Sequence, residues 1–184
     1  MEMRWNMPLS ETYKENLRIG NLYEDFCANV LFYLIKIPLT SMKSKHYQLE
    51  IGENLQGLEI KYQGRMEEYK SLYIETHEKS HKDNENFVKS GIYRKDNTWL
   101  WMTGDWDVAF LIPLNKLKML YETGEMRTLD SETSKGFVLP LDLAEKYCIK
   151  KFDNLKVRFK KFLPPEELIQ KNKGEDDEGN IDKV

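Results

Sequence analysis

Cysteine is scarce in this chain, and its scarcity sets the first limits. Cys27 and Cys148 are the only two among 184 residues. Both fall in segments that read as helix or buried element, so they allow one disulfide at most and fit better as thiols in a reducing cytosol. No Cys/His spacing suits a zinc site. No run of about 18 apolar residues exists, which excludes a membrane-spanning helix. Met1 to Pro8 is too short and too polar for a signal peptide, so the expected location is the cytoplasm. No internal repeat is visible. A large charge of one sign is also missing. The net charge is −3, and residues 164–184, with seven acids and three lysines, hold −4 of it, leaving the rest of the chain at +1. Such a body can still bind nucleic acid through a local basic patch, because affinity follows the charges that meet phosphates.

What is present fits one globular domain. Hydrophobic residues make up 40% of the chain, charged residues 32% and aromatics 12%. That is enough for a well-filled core. The domain is expected over residues 1–163, followed by an acidic tail over 164–184 that does not pack.

Ser10 to about Ile35 reads as a long helix with Leu17, Leu22, Phe26, Val30 and Leu34 along one face. Pro38 ends it. Gly20 within it suggests close packing or a break between two helices. Leu39 to Leu55 is mixed, with a turn at Gly52-Glu53-Asn54. Gly57 to Tyr62 and Ser71 to His77 each alternate apolar and polar residues, and the short polar connector between them predicts a β-hairpin. A long loop follows from Glu78 to Asn97, with a turn at Ser90-Gly91. Thr98 to Gly104 and Val108 to Ile112 read as strands, Pro113 opens a helix that Gly124 stops, and Gly136 to Leu139 is a short strand. Pro140 to Cys148 is a helix, and Leu155 to Phe162 is a strand or short helix. The expected fold class is α/β, a mixed sheet with helices on its faces.

Alternation places Glu59, Lys61 and Gln63 on one face of the first hairpin strand, and Tyr73, Glu75 and His77 together on the second. If both apolar faces point inward, two carboxylates, a lysine and a histidine converge on the other side. Clustered carboxylates raise one another's pKa unless something positive intervenes, and Mg²⁺ or Lys61 would relieve that repulsion. A metal there would polarise a phosphodiester, with Lys61 or His77 serving the attacking water. The competing explanation is a solvated sheet face with cross-strand Glu–Lys pairs. Lys150, Lys151, Lys156, Arg158, Lys160 and Lys161 interleave with Phe152, Phe159 and Phe162. This stretch reads as an amphipathic element with its lysines in water, or as a surface for a nucleic-acid backbone.

The order of these motifs resembles the PD-(D/E)XK phosphodiesterases, the restriction-endonuclease-like nucleases. Arg18-Ile19-Gly20-Asn21-Leu22-Tyr23-Glu24 is similar to the helical start of many members, with Glu24 as the helix acid. Gly57 to Gln63 resembles the first hairpin strand, and Ser71 to His77 the second, with Glu75 opening the triplet. Ser90 to Trp99 is similar to the segment before the next strand in phage and bacterial members. The resemblance covers about Arg18 to Ile112. It implies an α-β-β-β core, Mg²⁺ (or Mn²⁺) held by Glu24, Glu59 and Glu75, and Lys61 and His77 in the chemistry. DNA is the implied substrate, with Arg94, Lys95 and Lys79 at its phosphates and a homodimer as the form that would cut both strands. Two positions depart from the pattern: Gln63 stands where many members carry Asp, and His77 where the triplet ends in Lys. A second register takes Glu59-Ile60-Lys61 as the triplet with Glu53 as the preceding acid. The non-enzymatic alternative is a nuclease-like module that binds DNA or a protein without cutting.

Overall fold

Twenty-five residues form the first helix, α1 (Glu11–Ile35), in the computed structural model, which describes residues 11–42, 44–166 and 169. The expectations for Met1 to Pro8 and for most of the acidic tail lie outside the described residues. The buried face of α1 is Ile19, Tyr23, Phe26, Cys27, Val30 and Leu31. Leu17, expected on that face, is half exposed. The helix runs unbroken through Gly20, and a Cβ there would meet nothing within 4 Å, so neither close packing nor a break explains this glycine. Lys36 follows in the left-handed region, with φ of 59°.

A short helix, α2 (Lys45–Glu50), occupies part of the stretch read only as mixed. After β1 (Leu58–Tyr62) come α3 (Met66–Tyr69), β2 (Ser71–Glu78) and β3 (Val88–Lys89). The expected long loop after β2 thus contains β3 and a 3-10 turn over Gly91–Tyr93. Then follow β4 (Leu100–Gly104), β5 (Ala109–Pro113), α4 (Leu114–Glu122), β6 (Thr128–Asp130) and β7 (Ser134–Pro140). The described chain closes with α5 (Leu141–Tyr147), β8 (Lys150–Phe152), α6 (Leu155–Arg158) and a 3-10 turn over Lys160–Phe162.

The strands form two four-stranded sheets, in the orders β1-β4-β5-β8 and β3-β2-β7-β6. This corrects the hairpin. β1 pairs in parallel with β4, while β2 pairs with β3 and β7, so the two alternating strands belong to different sheets. Alternation fixes which side chains share a face of a strand; it does not choose the neighbour. The connector contains α3 and ends at Lys70 in the left-handed region, and it carries the chain from one sheet to the other.

Both faces of the first sheet are covered. Leu58, Ile60, Met102, Ala109 and Leu111 pack with the buried face of α1 in one core. Trp101, Phe110 and Ile112, which alternate with them, pack against Leu72 and Ile74 of β2, Phe137 and Leu139 of β7, and α4 and α5 in a second core. A strand covered on both sides must place every residue against protein. That forces the issue of Glu59, which shares its face with its β4 partner Trp101 and is only 1% exposed.

Candidate active site

Burying a carboxylate without partners costs several kcal/mol, so Glu59 has to be compensated. Two cations do this. Arg94 donates from Nη2 to Glu59 Oε2 at 2.5 Å, and Lys61 Nζ lies 2.6 Å from Oε1. The Lys61 contact is an ion pair without well-directed hydrogen-bond geometry. Arg94 also reaches Glu53 Oε1 at 3.3 Å and Asp96 Oδ2 at 2.5 Å. Burial would lower the Arg94 and Lys61 pKa values, but Glu59, with Glu53 and for Arg94 also Asp96, outweighs it, so both are raised and stay charged.

Two further acids complete the cluster. Glu24 of α1 lines a small cleft with Ala28, Leu39, Ser41, Glu53 and Asn54. Burial lifts its carboxyl from 4.5 to about 7; the charges of Glu53 and Glu59 push the same way and Lys61 opposes them. Glu75 of β2 accepts a hydrogen bond from Ser90 Oγ at 2.8 Å. Its pKa is raised, first by burial and then against the pull of Ser90, with Glu78, Lys61 and Glu59 also felt. Residues 90–96 thus grip three acids at once: Ser90 holds Glu75, and Arg94 holds Glu59 and Glu53. The grip is close. Gly91, at φ of 50°, lies so near β2 that a Cβ would stand 2.1 Å from the Glu75 carbonyl oxygen.

Of the expected site residues, Glu24 feels the charges of Glu59 and Lys61, and Glu75 feels the same two, but Glu24 and Glu75 do not feel each other, and the hairpin invoked to join them is absent. Glu53, named only in the second register, belongs with them. Arg94 points into the cluster and is 18% exposed, whereas Lys95 beside it is exposed. His77, half-buried, has Nδ1 3.0 Å from Thr76 Oγ1 and its ring against Tyr93. Lys79 Nζ donates to the carbonyls of Lys82 and Asn84, which fixes its own loop.

Gln63 is not part of the cluster. Its amide donates to Tyr73 O at 2.9 Å and accepts from Tyr73 N at 3.2 Å, joining the end of β1 to β2 in the other sheet. Sequence reading missed this clamp and the counter-ion role of Arg94. The proximity of Ser90-Gly91 to Arg94 was the available signal, but it read as a turn. Among the described residues, no three His, Cys, Asp or Glu side chains form a ready-made metal-holding group. Compared with models of known families, with curated proteins and with solved structures, the chain matches none.

Proposed function

We propose that the chain is a metal-dependent endonuclease that hydrolyses DNA phosphodiester bonds, of the restriction-endonuclease-like type. The observation that supports this reading is Glu59, buried between Lys61 and Arg94, with Glu53 on the same guanidinium and Glu75 held by Ser90 of the same segment. A hard divalent cation would draw on Glu24 and Glu53, which line one cleft, and on Glu59 and Glu75 once Lys61, Arg94 and Ser90 release their oxygens. When bound, Mg²⁺ or Mn²⁺ would supply a more acidic water and charge for the phosphate. Lys61, partly exposed and held charged, is suited to hold a non-bridging phosphate oxygen. His77 on β2 is the candidate base, and Lys95, exposed, is placed to meet the DNA backbone.

This reading favours the register Glu53…Glu59-Ile60-Lys61, with Glu75 at its edge. It also removes the objection raised by Gln63, whose amide has a structural task. The second reading, a module that binds DNA or a protein without cutting, draws on the fact that cations flank both Glu59 oxygens. Nicking of supercoiled plasmid in Mg²⁺ or Mn²⁺, with Mn²⁺ binding followed by calorimetry, separates the two. Metal-dependent nicking that drops at least 100-fold in Glu59→Gln and Glu75→Ala is expected. DNA binding with no cutting would favour the module, and no metal binding at millimolar Mn²⁺ would overturn the enzyme.

A further inference from the structure

The acid cluster leaves the basic and aromatic stretch near the end of the described chain without a task. Its second half joins the last turn of α1 in one surface. Tyr33, 53% exposed, stands edge-on to Phe159 and Phe162 at centroid distances of 5.6 and 6.5 Å. Lys161 Nζ lies 5.0 Å from the Tyr33 ring, and Lys36 Nζ lies 5.2 Å from it and donates to the Tyr33 carbonyl at 3.1 Å. The Arg158 guanidinium lies over Phe159, and Lys160 is exposed beside it.

The exposed Tyr33 ring, with Lys36 and Lys161 against it, separates this surface from lysines merely standing in water. Some surface cations elsewhere meet acids, as Lys70 meets Glu67 at 2.7 Å, Lys135 meets Asp130 at 2.9 Å and Lys151 meets Glu145 at 3.1 Å; others, Lys95 among them, stand exposed without one. Among the described residues, no acid pairs with Lys36, Arg158, Lys160 or Lys161, although Arg158 donates to the Asp153 carbonyl at 3.4 Å. Lys36 adopts the left-handed region just past the end of α1, as Lys70 and Asn154 do elsewhere in the chain.

We infer that this surface binds single-stranded nucleic acid, with phosphates on Lys36, Arg158, Lys160 and Lys161 and an unpaired base against Tyr33. A ring exposed between cations suits a base free to unstack, which a duplex does not present. The surface is separate from the acid cluster. Nine residues part Glu24 from Tyr33, about two and a half helical turns, which puts them on opposite faces of α1 and roughly 13 Å apart along its axis. It requires no metal and does not depend on the nuclease reading.

Anisotropy of a labelled 15-mer oligothymidine, titrated with the full chain in EDTA, tests this directly. Binding that weakens with salt is expected, with a slope of about −0.7 for each phosphate neutralised. Lys36→Gln with Lys161→Gln should weaken it at least tenfold and flatten the slope by about 1.4. Tyr33→Ala should weaken it about tenfold at unchanged slope, and Tyr33→Trp should restore it, a rescue that a purely structural role for the ring would not produce. The inference is overturned if the wild type fails to bind at 0.1 mM protein in low salt (roughly the range of non-specific affinities). Wild-type affinity in the lysine variant, or equal affinity for duplex, would overturn it as well. Because no metal is present, these failures leave the nicking experiment untouched.

Discussion

At the residue scale, burial decides what each polar side chain can do. Glu24 has a folded-state pKa of about 7 against an ordinary 4.5. The folded state therefore holds the proton more tightly, and the resulting stabilisation is full below pH 4.5 and lost as pH rises through about 7. Glu24→Gln cannot ionise and lacks this dependence. The stability of wild type relative to Glu24→Gln should fall by about 2–3 kcal/mol between pH 4.5 and 8 in urea titrations. A difference that is flat over that range would refute the raised pKa. Gln63 makes a different demand. Asp would match the pattern of the nucleases the sequence resembles, but it has no amide to donate to Tyr73 O. Gln63→Asp should cost about 1–2 kcal/mol and add no nicking activity. Gain of activity in this variant would return position 63 to the proposed metal site. Gly20→Ala should stabilise by about 0.4–1 kcal/mol, since the added methyl meets nothing and the helix propensity improves. A loss of stability there would mean that a partner of Gly20 was missed.

At the scale of elements, the sequence disclosed strands and helices better than their partners. α1, β1, β2, β4, β5, α4 and α5 were legible because periodicity and proline or glycine boundaries are local properties. The pairing of β1 with β4 was not, because the intervening chain passes through the second sheet and no local pattern records that. The acid cluster was partly legible for a related reason. Glu59 and Lys61 share a face whatever their strand pairs with, so their proximity survived the wrong hairpin. The contribution of residues 90–96 depends on a tertiary approach that leaves no periodic trace. That approach is testable through Gly91, where a Cβ would collide with β2 and the φ of 50° disfavours a side chain. Gly91→Ala should cost about 2–4 kcal/mol, whereas Ser90→Ala, which removes one hydrogen bond, should cost about 1–2. Equal, small losses measured by chemical denaturation would show that the segment does not grip β2 as described.

For the molecule as a whole, the question is whether two cores make two folding units. The first sheet belongs to both: along β4, Met102 faces α1 and Trp101 faces the second sheet, and along β5, Leu111 and Phe110 do the same. Peeling α1 away would expose its six buried side chains as well as the sheet face beneath. At roughly 1.5–3 kcal/mol each, those six alone cost on the order of 10 kcal/mol, comparable to the whole stability of a typical domain. Detachment of α1 is then no easier than global unfolding, and the two cores should be lost together. Cys27 reports this event, since it is fully buried on the inner face of α1 and burial pushes its thiol pKa up, so it reacts only when the helix leaves. Cys148, on the side of the second core, is partly accessible and must first be replaced by serine. In that background, the opening free energy from Cys27 labelling under native conditions should equal the unfolding free energy from urea denaturation. A labelling value several kcal/mol lower would mean that α1 opens alone, and the site built from Glu24 and β1 would then open with it.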